Sequence, residues 1–216
     1  GNPNTSSKVS NTIKLFVTDK AGVKTEQSFI LAVGKNIEGT SGKDSLSGDI
    51  GADIILGNDG DDTITPGLGA DVISGEEGSD IINLIADGKW NKKAAWNIDV
   101  SKTIFYKISI DGKNKFEDVI DGGNGVDTIN LTSEADASFL HDALSKFHFQ
   151  LNLNESSVGK KFTDRIKFIE KINGGNGDDI IDLTSPDAKL TQTLEINGED
   201  GHDTLWASSG NDIVIG

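Results

Sequence analysis

An all-β chain, wound as a parallel β-roll and broken by two inserted segments, is what this sequence predicts, on three observations. A nine-residue pattern, G-x-x-G-x-D-x-U-x with U a large aliphatic, occurs nine times. Five copies are contiguous and four are scattered through the second half of the chain. Between the contiguous block and the scattered copies, and among the latter, lie stretches of different composition, which hold two of the three Trp and the only Tyr. Repeats are sought before other elements, because a fixed period dictates the architecture.

The first element, residues 1–38, reads as a β-hairpin: Thr12–Thr18, a turn at Asp19-Lys20-Ala21-Gly22, and a returning strand from Val23 to Val33. Two strands alone are marginal. Either the hairpin pads the first turn of the roll or it belongs to a sandwich completed by the insertions.

The second element, residues 39–216, is the roll. Its five contiguous copies are 39–47, 48–56, 57–65, 66–74 and 75–83; the others are 122–130, 174–182, 198–206 and 207–215. Position four is always Gly, position six always Asp, and position eight Leu, Ile or Val. Glycine permits the left-handed or crowded backbone of a tight turn, so each G-x-x-G-x-D segment can bend and aim its carbonyls inward. The x-U-x remainder is a short strand with one inward aliphatic. Ordinary turns are also rich in Gly and Asp, but they do not recur every nine residues. Two repeats then make one full turn, and loops two repeats apart stack about 4.8 Å from each other, one strand spacing.

Carbonyls and carboxylates at that spacing suit Ca²⁺, which takes six to eight hard oxygens at about 2.3–2.6 Å. The candidate ligands are Asp44, Asp53, Asp62, Asp71, Asp80, Asp127, Asp179, Asp203 and Asp212, with the loop backbone at Gly42, Gly51, Gly60, Gly69, Gly78, Gly125, Gly177 and Gly201. Counting half-turns, with 168–173 read as one strand, puts loops 39–44, 57–62, 75–80, 122–127, 174–179 and 198–203 on one edge. Loops 48–53 and 66–71 fall on the other, from which everything inserted emerges. That arrangement implies about six Ca²⁺, at least five, adding about +12 to a formal charge of −15. Without metal the acidic rows repel each other, and the chain is expected to be largely unfolded.

The insertions span 84–117 and 132–167. The first contains Trp90, Trp96 and Tyr106 with Lys92 and Lys93, and Thr103–Ile110 alternates as a strand does. In the second, Thr132 or Ser133 can cap a short helix carrying Phe139, Leu140, Ala143, Leu144 and Phe147, and 148–154 alternates again. Two readings stand side by side. The aromatics form the core of a small subdomain on one edge, or Trp90, Trp96, Tyr106, Lys92 and Lys93 present a ligand surface, since aromatics and Lys beside cation sites suit peptide or carbohydrate.

Composition excludes several classes. With 20 Lys+Arg against 35 Asp+Glu, the chain lacks the basic footprint that nucleic acid needs. The absence of Cys removes disulfides and thiol chemistry. His141, His148 and His202 do not make an H-E-x-x-H motif, and no G-x-S-x-G occurs, so an enzyme is not expected. No run of about 18 apolar residues exists to insert into a membrane. Starting Gly-Asn-Pro without Met, the sequence reads as a fragment of a longer chain.

The repeat columns resemble the RTX family, the calcium β-rolls of proteins exported by type I secretion from Gram-negative bacteria. The stretch Phe168–Gly175 is similar to the lead-in strand common before such repeats, and by motif the resemblance covers 39–83, 118–130, 168–182 and 193–216. Pro66 and Ala207 depart from the expected first Gly. The hairpin resembles the closing strands of immunoglobulin- or cadherin-like modules in bacterial adhesins, and the interrupted roll resembles the split peptide-binding domains of such adhesins. What the resemblance implies is a monomeric, extracellular module on the outer surface of a Gram-negative bacterium, binding a cell-surface peptide or carbohydrate. The alternative is a roll whose calcium-triggered folding outside the cell is its whole task.

Overall fold

The computed structural model describes residues 4–5, 11–89, 95–99, 105–109, 112–131, 138–140, 151–153, 162–164, 166–183 and 192–216. These residues form strands and loops without a helix among them, and most strands pair in parallel. The chain winds back and forth between two faces. The first face holds Asn36–Glu38, Ile54–Leu56, Val72–Glu77, Val119–Asn124 and Ile166–Lys167 in that order, all in parallel, with Asn4–Thr5 antiparallel at its start. The second face is a seven-stranded parallel sheet running from Ser45–Ser47 through Thr63–Thr65, Ile81–Asn83, Thr128–Asn130, Lys171–Asn176 and Glu195–Asp200 to Ile213–Ile215. A further sheet, Ser138–Leu140, Ile180–Asp182 and Thr204–Trp206, faces it across the later turns.

The aliphatic of each short strand explains why this winding is stable. Leu46, Ile55, Ile64, Ile73, Ile82, Ile129 and Ile181 are almost wholly buried and form one continuous cluster with Ile37, Ile120, Ile172 and Ile196. Burying such a side chain contributes about 1.5–3 kcal/mol. No single turn can shield its own aliphatic, so each turn depends on the copies stacked beside it.

The hairpin forms as expected. Asn11–Thr18 pairs antiparallel with Lys24–Leu31, and the Asp19 carboxylate accepts the N–H groups of Ala21 and Val23 across the turn. Leu15, Phe16 and Val17 remain exposed.

Two expectations need correction. The helix expected in the second insertion is not formed at Ser138–Leu140, which is a strand, because it pairs in parallel with Ile180–Asp182 and completes that sheet. Its remainder, 132–137 and 141–150, lies outside the described residues. The second correction concerns 168–173, expected as one strand. Ile166–Lys167 belongs to the first face and Lys171–Asn176 to the second, so the chain crosses the roll at Phe168–Glu170, where Phe168 has φ 54°. That corner is a half-turn without a glycine loop. It shifts every later loop to the opposite edge.

The first edge therefore carries loops 39–44, 57–62, 75–80 and 122–127, then the corner, and at the last turn 207–212. The second edge carries 48–53, 66–71, 174–179 and 198–203. Both insertions leave from the second edge, between 66–71 and 174–179, while the short connection 184–192 leaves from the first.

Candidate metal centre

Among the nine copies the position-six aspartates do one job in common. In seven of them, Asp53, Asp62, Asp71, Asp80, Asp127, Asp203 and Asp212, the Oδ1 accepts the backbone N–H of the residue in the same place one turn earlier. Asp62 accepts from Asp44 at 2.7 Å, Asp80 from Asp62 at 2.8 Å and Asp127 from Asp80 at 2.8 Å on the first edge. Asp71 accepts from Asp53 at 2.7 Å and Asp203 from Asp179 at 2.9 Å on the second. These five bonds mark five pairs of stacked loops, where half-turn counting had implied six.

Where a row of loops ends, another acid takes over. Asp118 accepts the Asp71 N–H at 3.1 Å, and the Glu170 side chain accepts the Asp127 N–H at 2.8 Å. Asp87 accepts the Gly69 N–H at 2.7 Å and the Glu117 N–H at 2.6 Å, which ties the base of the first insertion to loop 66–71. Asp118, Glu170 and Asp87 were missed as functional residues in the sequence. Asp118-Val119-Ile120-Asp121 and Glu170-Lys171-Ile172-Asn173 nonetheless keep the acid at position six and the aliphatic at position eight, so half of the repeat signal was there.

The second carboxylate oxygen divides the loops into two kinds. In 39–44, 48–53 and 207–212 the N–H of the second loop residue donates to the Oδ2 of the loop's own aspartate: Thr40 to Asp44 and Ser208 to Asp212 at 2.6 Å, Asp49 to Asp53 at 2.7 Å. In the other six loops the second residue has positive φ: Asn58, Gly67, Glu76, Gly123, Gly175 and Glu199. Left-handed backbone at Asn58, Glu76 and Glu199 is strained for a side-chain-bearing residue. In these loops the carboxylate is not capped by its own loop, and the Oδ2 atoms of Asp62, Asp71, Asp80 and Asp127 are buried with no hydrogen-bond partner. The carbonyl of the first residue meanwhile lies against the loop stacked before it. A methyl on Gly57 would come within 2.6 Å of the Gly75 carbonyl oxygen and 2.7 Å of Asp62 Oδ2, which is why only Gly fits there.

Pro66 and Ala207 replace that first Gly in loops after which no further glycine loop stacks.

An unpaired anionic oxygen inside a protein costs several kcal/mol unless a proton or a cation neutralises it. Burial pushes the carboxyl groups of Asp71 and Asp80 up to about 6, and raises those of Asp62 and Asp127; the neighbouring aspartates add to it. Asp44 moves the other way, held below the usual carboxylate range by the Thr40 N–H and hydroxyl. Among the described residues no three acidic or histidine side chains converge on one point. A cation between two loops would thus meet one or two carboxylates and a set of backbone carbonyls. That mixture fits the large, flexible oxygen shell of Ca²⁺ better than the tetrahedral N/S shell of zinc.

The aromatic candidates are less fully placed. Ala95–Asp99 and Phe105–Ser109 pair antiparallel, with Trp96 opposite Ile108 and Tyr106 opposite Ile98. Trp90, Lys92 and Lys93 lie outside the described residues. His202, at position five of its loop, is exposed.

Compared with known families, the chain matches the model described as the RTX calcium-binding nonapeptide repeat over residues 38–73, 57–84, 114–136, 170–185 and 195–216, together half of its length. The range 114–136 takes in Asp118 and its half-repeat. No curated protein and no solved structure matches it. No helix among the described residues is long and apolar enough to cross a membrane.

Proposed function

We propose, from the premise that the chain belongs to the RTX calcium-binding nonapeptide repeat family, that it is a calcium-set adhesion module of a secreted bacterial RTX adhesin, binding a peptide or glycan on another cell surface. Repeats of this family bind calcium and are typical of secreted proteins. Five Ca²⁺, one per stacked loop pair, would be held by the aspartates at position six with the first-residue carbonyls of the loop stacked after them. They would add +10 to the formal −15. Bound there, the cation supplies the positive charge that the buried carboxylates lack.

The observation that carries the ligand-binding half of the reading is the common exit of both insertions on the second edge, between loops 66–71 and 174–179. A roll that serves only secretion has little use for two long segments gathered on one side. The module is read as monomeric and non-enzymatic, with neither nucleic acid nor a membrane interior as its partner.

The test has two stages. Circular dichroism is expected to show low β content in EDTA and cooperative folding in millimolar Ca²⁺ but not in Mg²⁺, whose tighter octahedral shell suits these loops poorly. The calcium-loaded protein is then expected to bind a peptide or glycan array and to lose that binding in EDTA. Among Trp90→Ala, Trp96→Ala and Tyr106→Ala, at least one should fold with calcium yet lose adhesion. Identical spectra with and without calcium would remove the calcium premise. Folding without any binding leaves the roll as a folding and secretion module.

A further inference from the structure

Where the insertions leave the second edge, the second face carries a column of asparagines. Asn83, Asn130, Asn173 and Asn197 occupy the same place in four adjacent parallel strands. The Asn130 Nδ2 donates to Asn83 Oδ1 and the Asn173 Nδ2 to Asn130 Oδ1, both at 2.8 Å. An amide has two N–H donors and an oxygen with two lone pairs. The middle rung spends one of each on the ladder and keeps one of each, and the column is only half-buried.

Three of them, Asn83, Asn130 and Asn173, line a groove of about 510 Å³, a size suited to a small ligand. Thr65 stands at one end, Glu199 at the other, and Ile85 supplies an exposed apolar wall. The groove has a cause in the chain's course. In an uninterrupted roll, a loop would follow Asn83 and another would follow Asn130 on this edge. Here Leu84 and Leu131 instead begin the two insertions, and no glycine loop of the repeat lies between 66–71 and 174–179 on that edge.

Resting on the ligand-binding reading above, we infer that this groove binds a neutral oligosaccharide laid along the roll axis, with one sugar unit at each asparagine rung. Rungs follow each other at about 4.8 Å, one strand spacing, whereas an extended peptide advances about 3.3 Å per residue and falls out of step. A sugar chain advances by about one ring per rung, and each hydroxyl, like each free amide edge, both donates and accepts. Ile85 offers contact for the C–H face of a ring. The charge stays negative even after five cations add +10 to the formal −15, and with the Glu199 carboxylate at the groove it disfavours sialylated or uronate-containing chains.

The experiment uses calcium-loaded protein on an array carrying neutral gluco-, galacto- and manno-oligosaccharides, their sialylated or uronate-containing counterparts, and peptides. Neutral oligosaccharides are expected to bind. Asn130→Ala and, on the exposed wall, Ile85→Glu are each expected to weaken that binding about tenfold or more, a loss of about 1.4 kcal/mol. Calcium-dependent folding, followed by circular dichroism and Tm, should be retained by Ile85→Glu in every case, which keeps the test open should Asn130→Ala fold poorly. Binding to peptides or anionic sugars alone, or neutral-sugar binding that Ile85→Glu leaves intact, overturns the groove while the adhesion reading stands. Absence of binding to any probe overturns both.

Discussion

The backbone N–H of Asp80 donates to Asp127 Oδ1 at 2.8 Å, across 47 residues that include the whole first insertion. Asp80 in turn accepts the Asp62 N–H, so it stands in the middle of the four-loop row and belongs to two stacked pairs. Asp53 and Asp127 each belong to one. If each pair holds a cation at a hundredfold excess over its Kd, each contributes about 2.7 kcal/mol. Asp80→Asn is thus expected to cost the calcium-bound protein about 5 kcal/mol, and Asp53→Asn or Asp127→Asn about 3. Calcium-bound melting temperatures check this, and equal shifts for all three would show that the cations do not lie between stacked loops.

Acid should stabilise the calcium-free protein. Asp71 and Asp80 are pushed up to about 6, with Asp62 and Asp127 also raised, so the folded chain holds protons there that the unfolded chain releases near 3.8. That contribution is complete below the unfolded value and is lost as pH rises through about 6. In EDTA the residual β content by circular dichroism is expected to be higher at pH 5 than at pH 7.5. With calcium present the order reverses, because protons compete for the same oxygens and apparent calcium affinity falls below about pH 6. Asp44, lowered rather than raised, acts only at more acid pH. A calcium-free β content that climbs from pH 5 to 7.5 would contradict the assignment.

Two glycines at the same repeat position should behave differently. Gly78 has φ 132°, and a methyl on it would lie 2.1 Å from the Gly60 carbonyl oxygen; around Gly42, in the first loop of the row, nothing lies within 4 Å. Gly78→Ala is expected to destabilise by about 3 kcal/mol, or roughly 6–12 °C in Tm, and Gly42→Ala by no more than about 0.5 kcal/mol. Similar losses would mean that position four is constrained by the cation itself rather than by the loop stacked above.

The roll was legible in the sequence because its determinants are local and periodic. Ile55, Ile64 and Ile73 recur every nine residues, and each lands in the core where its predecessor predicts. The corner at Phe168–Glu170 was not legible in the same way. Phe168, Glu170 and Ile172 sit at alternate positions with Ile169 and Lys171 between them, which reads as one continuous strand. Only the pairing of Ile166 with Ile120 and of Ile172 with Ile129 separates the two faces. The aspartate ligands could be chosen from the column alone. Which of them is capped by its own loop could not, since that depends on the backbone angle of the preceding second residue. Ser138–Leu140 failed for another reason: its helical spacing of apolar residues was overridden by an available partner in Ile180–Asp182.

The corner between Lys167 and Glu170 turns the chain through the same half-circle as a six-residue glycine loop, and that makes the winding a two-phase counter. Every half-turn advances the phase, whether or not it binds metal. Removing the corner by deletion would therefore not shorten a calcium row. It would transpose loops 174–179 and 198–203 to the far side and take Asn173 and Glu199 out of the groove. In a chain of this design, the number of glycine loops sets how much calcium is held, and whether the count of half-turns is odd or even decides which side faces the ligand.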